Sequence, residues 1–368
     1  GWVMMGEWKE LPLSNLLSFG NGKKKPDSEG EIPIYGGNGI LGYSSDYNYD
    51  GETIVIGRVG AYCGAVYYEN KPIWISDNAL SAKPKGDYST KFLYYFLKAK
   101  DLNQYAGGSS HPLVTQTLLN SLEFEVCVDS YEQKAIASVL SSLDDKIDLL
   151  HRQNKTLEAM AETRFRQWFV EEAEESWEDI LLGDIADINP TYKLKKGEVA
   201  SYLEMSNVSN STFNPSGWTK REFSSGMKFQ NGDTLLARIT PCLENGKTCF
   251  VTFLDEDEIG WGSTEYIVIR MKQPFHPFIS YIIARDKDFR EFAISTMSGS
   301  SGRQRASANV IKEFDLKLPP APIIEELNNH LAGIVPKLEI NSNQIHTLEK
   351  LRDTLLPKLM SGEVRVEL

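Results

Sequence analysis

The sequence predicts an α+β fold in which two strand-rich mixed domains are joined by two long antiparallel coiled-coil helices, as a pseudo-two-fold internal repeat. Two observations predict it: the chain repeats itself, and a sustained heptad pattern follows each copy. A length of 368 residues, 41% hydrophobic and 24% charged, suits a globular protein of two or more domains. We expect a first domain at 1–128, a central helix at 129–175, a second domain at 176–320 and a C-terminal helix at 321–368.

The repeat is visible where each copy begins and ends. WKELPLSNLLSF at 8–19 is echoed by WEDILLGDIADI at 177–188, with the tryptophan and later apolar residues at one constant offset. LLNSLEFEV at 118–126 matches VIKEFDLKL at 310–318, and both end in a strand of alternating apolar residues. Each copy therefore holds one complete mixed domain.

Three internal segments repeat in the same order. They read as a buried strand entered through a Gly-acid turn, a short apolar helix and a Gly/Ser loop. The pairs are GETIVIGRV (51–59) with GDTLLARI (232–239), KFLYYFL (91–97) with PFISYII (277–283), and AGGSSHPLVTQ (106–116) with MSGSSGRQRAS (297–307).

After each domain, seam residues recur at alternating steps of four and three. A narrow seam on so long a helix is best buried by a similar helix, and the similar one is the other copy. The alternative is that each helix packs on its own domain. Pro336 should kink the second helix or mark its start. The two series are Ile136, Leu140, Leu143, Ile147, Leu150, Asn154, Leu157, Ala161, Arg164, Trp168 and Leu327, Leu331, Ile334, Leu338, Asn341, Ile345, Leu348, Arg352, Leu355, Leu359.

We expect the helices to pair antiparallel, because parallel pairing would force the second domain to carry the chain back along the whole rod. Asn154 and Asn341 are set opposite each other, since an amide facing leucine would be unsatisfied. Arginines at the ends of the rod can extend their charged heads to solvent. This register pairs Asn154 with Asn341, Leu150 with Ile345, Ile147 with Leu348, Leu157 with Leu338, Arg164 with Leu331, and Leu143 with Arg352.

Motifs of several catalytic classes are missing from the sequence. It has no GxxxxGK(S/T) loop, and INPT at 188–191 is one proline short of an amino-methyltransferase motif. GNGILG at 37–42 lacks the helix and acidic partner of a dinucleotide site. DEDE at 255–258 is expected to be an exposed acidic turn rather than a cation site, and His111 has no obvious third partner for hydrolysis. We expect the chain to be non-catalytic.

Bulk properties constrain the compartment and the partners. Four cysteines show neither CxxC spacing nor the density of a disulfide scaffold. There is no apolar run of about 18 residues, and GWVMMGEW lacks the features of a secretory signal. We expect a reduced, cytoplasmic protein without a metal. The net charge of −12 disfavours nucleic acid at first sight, but acidic residues concentrate on the predicted helices and basic residues cluster in loops.

The chain resembles the specificity subunit of type I restriction–modification systems over nearly its whole length. The helical segments carry the resemblance most specifically, and shorter segments within the domains also fit. They are YEQKAIASVLSSLDDKIDLLHRQNKTLEAMAETRFRQWFVE (131–171), LPPAPIIEEL (318–327) and KLMSGEVRV (358–366), with IPIYGGNGILGY (32–43), ISDNAL (75–80) and LKLPP (316–320).

This resemblance implies that each domain is a target-recognition domain that reads one half of a bipartite, asymmetric duplex DNA site. It implies that the helices act as spacers, set the gap and dock two adenine methyltransferase (modification) subunits. Two restriction subunits, ATP-driven translocases with a nuclease domain, would complete the complex. S-adenosylmethionine, ATP and Mg would then be bound by the partner subunits, and this chain would need no cofactor.

Candidate DNA contacts follow from residue chemistry. Lysine, arginine and loop amides suit phosphates, whereas Arg, Asn, Gln and Ser can read base edges. The alternative for any single lysine is a solvated surface charge. In the first domain the candidates are Lys23, Lys24, Lys25, Arg58, Ser109, Ser110, His111 and Gln116. In the second they are Lys195, Lys196, Lys220, Arg221, Arg238, Lys247, Arg303, Gln304 and Arg305.

Two other functions remain open at this point. One is a two-headed adaptor that binds protein or carbohydrate on a coiled-coil stalk, and such an adaptor would show no salt-sensitive mobility shift on duplex DNA. The other is a fused methyltransferase, which S-adenosylmethionine binding by the isolated chain would reveal.

Overall fold

The computed structural model describes residues 7–108 and 112–366. Ser109, Ser110 and His111, three of the candidate DNA contacts, lie outside the described residues. The chain divides into two compact units, residues 1–148 with 346–368 and residues 149–345. Each unit contains one strand-rich domain and a part of each of two long helices. None of the helices in the described ranges has the length and apolar character that a membrane span requires.

The domain of the first unit is built from three antiparallel or mixed sheets. Strands β2-β8-β5-β6 form an antiparallel sheet, β4-β3-β7 form a second sheet with a parallel β3–β7 pair, and β1 pairs with β9. The elements are β1 (Trp8–Pro12), α1 (Leu13–Leu16), β2 (Leu17–Asn21), β3 (Ile32–Gly36), β4 (Gly39–Ser44), β5 (Thr53–Gly57), β6 (Val66–Glu69), β7 (Trp74–Ile75), β8 (Ala79–Pro84), α2 (Thr90–Ala99), a 3₁₀ turn (Leu102–Tyr105), α3 (Gln116–Ser121) and β9 (Glu123–Cys127).

The core of this domain lies between the β2-β8-β5-β6 sheet and α2. Strand β5 is buried at every position, which fits its continuous apolar sequence. Helix α2 begins where the Ser89 hydroxyl accepts the Phe92 N–H at 3.3 Å, and it buries Phe92, Leu93 and Phe96. The predicted buried strand and apolar helix are both confirmed.

The domain of the second unit repeats this plan. Strands β11-β18-β15-β16 form an antiparallel sheet, β13-β12-β17-β14 form a second sheet with a parallel β12–β17 pair, and β10 pairs with β19. The elements are β10 (Glu178–Leu181), α5 (Leu182–Ile185), β11 (Ala186–Ile188), β12 (Val199–Leu203), a 3₁₀ turn (Met205–Asn207), β13 (Thr219–Glu222), β14 (Met227–Phe229), β15 (Thr234–Ala237), β16 (Thr248–Phe250), β17 (Gly260–Gly262), β18 (Tyr266–Met271), α6 (Ile279–Arg285), α7 (Lys287–Ser295), α8 (Ala308–Ile311) and β19 (Asp315–Leu318).

The predicted internal repeat is confirmed by the strand order. Taken in sheet order, β2, β8, β5 and β6 correspond to β11, β18, β15 and β16, and the parallel pair β3–β7 corresponds to β12–β17. Within the described residues the second copy adds a 3₁₀ turn (Met205–Asn207) and β14, and it has α7 where the first copy has a 3₁₀ turn (Leu102–Tyr105). Most of the extra length of the second copy lies between β12 and β15.

Helices α4 (Ser130–Arg166) and α9 (Ala321–Met360) follow the domains, and a π-helical turn (Gln167–Glu171) ends the first. The Asp129 carboxylate begins α4 by accepting the N–H groups of Tyr131 and Glu132, each at 2.9 Å. Helix α9 runs without interruption through Pro336, so the expectation that this proline marks its start is wrong. A proline within a helix removes the hydrogen bond to the carbonyl four residues earlier and crowds that carbonyl, so the alternative expectation of a kink at Pro336 stays a prediction.

Helices α4 and α9 run antiparallel. Going along α4, the residue numbers increase while those of the contacting residues on α9 decrease. In the second unit, Asn341 Nδ2 donates to Asn154 Oδ1 at 2.9 Å, the contact on which the predicted register was set. Asn154 is 1% exposed and also donates to the Ser342 hydroxyl at 3.2 Å. In the first unit, Arg352 donates to Asp144 at 2.9 Å. Arg352 therefore forms an ion pair across the two helices, one residue from its predicted partner Leu143, and the Leu143–Arg352 pairing stays a prediction.

Beyond Asn154, helix α4 packs on the domain of the second unit as well as on α9. The expectation that Arg164 lies on the seam is wrong: Arg164 is exposed and stacks on Trp168, 5.3 Å from the ring centroid. Phe165, 2% exposed, takes the buried position. Contact with a domain on one side and a helix on the other favours the 3.6-residue period of a straight helix over the 3.5-residue period of a coiled coil.

A buried carboxyl group connects α4 to this domain. Glu158 accepts hydrogen bonds from the Tyr281 hydroxyl of α6 at 2.8 Å and from the Phe213 N–H at 3.4 Å. Burial raises the pKa of Glu158 to about 7, and the bond from Tyr281 and the charge of Arg285 only partly oppose this effect. Near neutral pH this helix contact therefore includes a carboxyl group that is about half protonated.

Candidate nucleic-acid interface

In the first domain, the buried strand β5 is followed directly by Arg58, and Arg58 lies beside the two ends of the Gly/Ser loop. Arg58 follows β5; its N–H donates to the Asn78 carbonyl at 2.9 Å, and its carbonyl accepts the Val114 N–H at 2.9 Å. Leu113 and Gly107 exchange two backbone hydrogen bonds of 2.9 and 3.1 Å, which close the Gly/Ser loop. We call this set of backbone contacts the arginine frame. It fixes the arginine and both ends of the loop at one edge of the sheet.

The second domain carries the same frame. The Arg238 N–H donates to the Glu265 carbonyl at 3.0 Å, and the Arg238 carbonyl accepts the Ala306 N–H at 2.9 Å. Arg305 and Ser298 exchange two backbone hydrogen bonds of 2.9 and 3.1 Å. Sequence matching placed the loops one residue differently, because the loop of the second copy is one residue longer between its two closing residues.

The two frame arginines also share a side-chain property. Within the part of the chain that the structure describes, the Nε atoms of Arg58 and Arg238 are buried and have no hydrogen-bond partner. Arg238 Nε still has an ion-pair contact with Glu265 at 3.5 Å, so the cost of an unpartnered buried donor falls mainly on Arg58.

An ion pair distinguishes the second frame from the first. Arg305 donates through Nε to both Glu265 oxygens at 2.9 Å and through Nη2 to Oε1 at 2.7 Å. Its Nη1 donates to the Arg303 carbonyl at 3.1 Å. The bonds to Glu265 raise the pKa of Arg305, so its charge is permanent. Arg238 Nε lies 3.5 Å from the same carboxylate.

The other two loop candidates are less constrained. Arg303 and Gln304 are both exposed. The Arg303 N–H donates to the Ser300 carbonyl at 3.0 Å, and the Gln304 carbonyl accepts the Thr240 N–H at 3.0 Å. Among the described residues, no ion-pair partner stands against the Arg303 guanidinium. This side chain is therefore available to a phosphate.

The lysine loop of the first domain lies beside β7. Lys23, Lys24 and Lys25 are exposed. The Lys23 N–H donates to the Ile75 carbonyl at 3.0 Å, which attaches the loop to the second sheet. On the same edge, Gln116 Nε2 donates to the Asn21 side chain, the last residue of β2, at 2.8 Å. The structure thus brings these candidates to the ends of β2 and β7.

Other candidates in the second domain are engaged in contacts within the protein. Lys220 pairs with Asp255 at 3.1 Å and Glu258 at 2.7 Å, so the acidic DEDE turn is partly neutralised. Arg221 pairs with Glu204 at 3.0 Å. Lys247 Nζ donates to the Met205 carbonyl at 2.9 Å. Lys195 and Lys196 lie in an exposed turn before β12.

The structure bears on two kinds of ligand site, one for a dinucleotide and one for a metal ion. GNGILG forms the turn and first part of the β3–β4 hairpin, an arrangement unlike the strand–turn–helix of a dinucleotide site. In the described ranges, His, Cys, Asp and Glu side chains form no group that could hold a metal ion.

Asn78 and Glu265 belong to the arginine frames but are not among the candidate DNA contacts that residue chemistry indicated. Both occupy the same place in the frame, two residues after a serine whose hydroxyl accepts their N–H. The Asn78 N–H lies 3.3 Å from Ser76 Oγ, and the Glu265 N–H lies 3.1 Å from Ser263 Oγ. The signal was present as ISDNAL at 75–80 against GSTEYI at 262–267, which share only the serine and a pair of following apolar residues.

Comparisons with known proteins agree with this architecture. A family model described as the type I restriction modification DNA specificity domain matches residues 5–159 and 174–353. The MjaIX specificity subunit of Methanocaldococcus jannaschii is 24% identical over 340 residues, covering 83% of this chain and 76% of the relative. The EcoprrI specificity subunit of Escherichia coli is 30% identical over 141 residues, 38% of this chain and 35% of the relative. The crystal structure of a type I restriction–modification S subunit from M. genitalium superposes with a TM-score of 0.63 at 19% identity, covering 96% of each chain.

Proposed function

The chain belongs to the type I restriction–modification DNA specificity family, and from this premise we propose that each domain reads one half of a bipartite, asymmetric site in duplex DNA. The protein acts as a DNA sequence-specificity subunit and is itself non-catalytic. The observation that carries the proposal is the arginine frame, built twice from the same backbone contacts and furnished with different side chains. A shared frame provides a common way to approach DNA, and different side chains provide different base preferences.

The contacts divide into two kinds. The exposed lysines of the first domain and Arg303 suit phosphates, which position a protein on DNA without reading its sequence. Arg305 at the second frame, whose guanidinium is held by defined hydrogen bonds to Glu265, suits base edges, because base readout needs fixed donor and acceptor geometry. A net negative chain can bind DNA in this way, since the positive charges concentrate at the loops.

The long helices set the gap between the half-sites in this proposal. The polar contacts of Asn154 with Asn341 and Ser342 support it, since polar groups paired in an otherwise apolar seam fix the register of a helix pair. Two adenine methyltransferase subunits dock on the helices, and two restriction subunits complete the complex. These partners bind S-adenosylmethionine, ATP and Mg, and the chain works where its DNA is, in the cytoplasm.

The test is selection of bound DNA from a randomised duplex library by the purified full-length chain. The expected result is one motif made of two different half-sites at a fixed spacing, with an affinity that falls steeply as salt rises. A chain that selects no sequence and gives no salt-sensitive mobility shift would instead be an adaptor for another class of ligand.

A further inference from the structure

The arginine frames of the two domains differ at two equivalent positions. Leu113 in the first domain and Arg305 in the second make the same backbone contacts, and so do Asn78 and Glu265. The pair is therefore uncharged in one copy and an ion pair in the other. Exchanging both members together preserves the balance of charge, whereas exchanging one would leave an arginine or a carboxylate without its partner.

The ion pair leaves a defined part of the Arg305 guanidinium available. A guanidinium has five N–H donors, one on Nε and two on each terminal nitrogen. Glu265 takes the Nε donor and one on Nη2, and the Arg303 carbonyl takes one on Nη1. One donor remains on each terminal nitrogen. Two parallel donors on a fixed arginine match the O6 and N7 acceptors of guanine in the major groove.

The side chain is accessible as well as fixed. Arg305 is 38% exposed while Glu265 is 22% exposed, so the guanidinium is the more accessible member of the pair. In the first frame, Asn78 is exposed and carries an amide, whose donor and acceptor match the N7 and N6 edge of adenine. Leu113 is half-buried there and offers no competing polar group.

We propose that Arg305, positioned by Glu265, reads a guanine in the half-site of the second domain. At the matching edge of the first frame, the amide of Asn78 reads an adenine in the other half-site. Residues 78 and 265 are thus the same specificity position in two copies, one acting directly and one through a neighbouring arginine. This inference rests on the proposed function.

The experiment is selection from a randomised duplex library by the full-length chain and its R305K and E265Q variants. Lysine keeps the positive charge but lacks the fork, and glutamine keeps the shape of Glu265 but loses the charge that holds the fork. We expect the parent motif to contain a guanine whose replacement weakens binding by at least about tenfold. Both variants should reduce that preference to below about threefold, while the affinity for duplexes of unrelated sequence changes little.

Internal controls separate this effect from loss of folding. The half-site read by the first domain should be unchanged in R305K and E265Q. R166K serves as a matched control, because Arg166 forms an exposed ion pair with Asp286 in the same unit, at 3.0 Å, and takes no part in the frame. It should leave both half-sites intact.

A substitution in the first frame provides a second arm of the experiment. N78D retains the size of the side chain but removes its donor, so it should abolish an adenine preference in the other half-site alone. A parent motif without guanine, or a guanine preference that survives both R305K and E265Q, overturns the assignment of Arg305. An unchanged first half-site in N78D overturns the assignment of Asn78. A parent chain that selects no motif would instead contradict the proposed function itself.

Discussion

At the residue scale, the structure gives different surroundings to Arg303 and Arg305, which have only Gln304 between them in the sequence. We expect Arg303→Ala to weaken binding to all duplexes alike and to flatten the salt dependence, since its exposed guanidinium suits a phosphate. Arg305→Ala should cost about 1–3 kcal/mol on the specific site. Equilibrium binding to specific and scrambled duplexes at several salt concentrations measures both effects. If neither variant alters binding to DNA, this loop is not part of the DNA interface.

The buried carboxyl group of Glu158 predicts a pH dependence of stability. Its folded pKa of about 7 lies above the ordinary value for a glutamate, so the folded state holds a proton that the unfolded state releases first. The folded state of the second unit is therefore destabilised as pH rises from about 4.5 to about 7, by on the order of 3 kcal/mol in full. Below pH 4.5 the penalty is absent.

Glu158→Gln should remove this dependence, because glutamine stays neutral and can still bond to Tyr281 and Phe213. Denaturant unfolding at pH 5 and pH 8 would show the parent losing more stability than the variant between the two values. Equal losses would mean that Glu158 is ionised in the folded protein at both values.

At the element scale, the buried amide pair predicts non-additive effects of mutation. Asn154→Leu leaves the Asn341 amide without its partner in an apolar seam, which should cost about 1–3 kcal/mol of unfolding free energy. The double change to leucine should recover most of this loss, because neither amide remains unsatisfied. A double-mutant cycle measured by urea unfolding tests the coupling. Strictly additive losses would show that the two amides act independently.

The same helices show which features could be predicted from sequence. The amide contact, the helix ends near 130 and 321 and the direction of pairing follow from local patterns, since heptad spacing and unsatisfied amides act within one helix pair. The drift of the seam to Phe165 did not follow, because it depends on a domain packed against one side of α4. The Glu265–Arg305 pair was missed for a related reason: forty positions separate its members along the chain, and strand pairing alone brings them together.

At the scale of the whole molecule, the two domains should be exchangeable. Replacing residues 177–320 with the corresponding region of a relative should alter one half of the recognised motif and leave the other half intact, because each frame is completed within its own domain. Sequencing of methylated DNA from cells that express the chimaera with the modification subunit would show the motif. A change in both halves would contradict independent reading.

The purified chain should transfer no methyl group to DNA on its own. It lacks the sequence motifs of an amino-methyltransferase, and the nearest match, INPT, spans the end of β11 and the residues that follow it. Incubation with labelled S-adenosylmethionine and duplex DNA measures this directly. Incorporation of label without a modification subunit would show a catalytic site that the chain was not expected to contain.

The first unit is closed by residues that follow the second unit in the chain. Leu359 and Met360 lie in its core, and Arg365 donates to both oxygens of Glu132 at 2.8 Å. During translation, residues 149–345 must be synthesised before these contacts can form, which takes roughly 10–40 s at usual elongation rates. Throughout that interval Ile136 and Leu140 lack the part of their cover that comes from α9. The first domain is therefore synthesised before the second domain, but its core can be completed only after the second domain has been made.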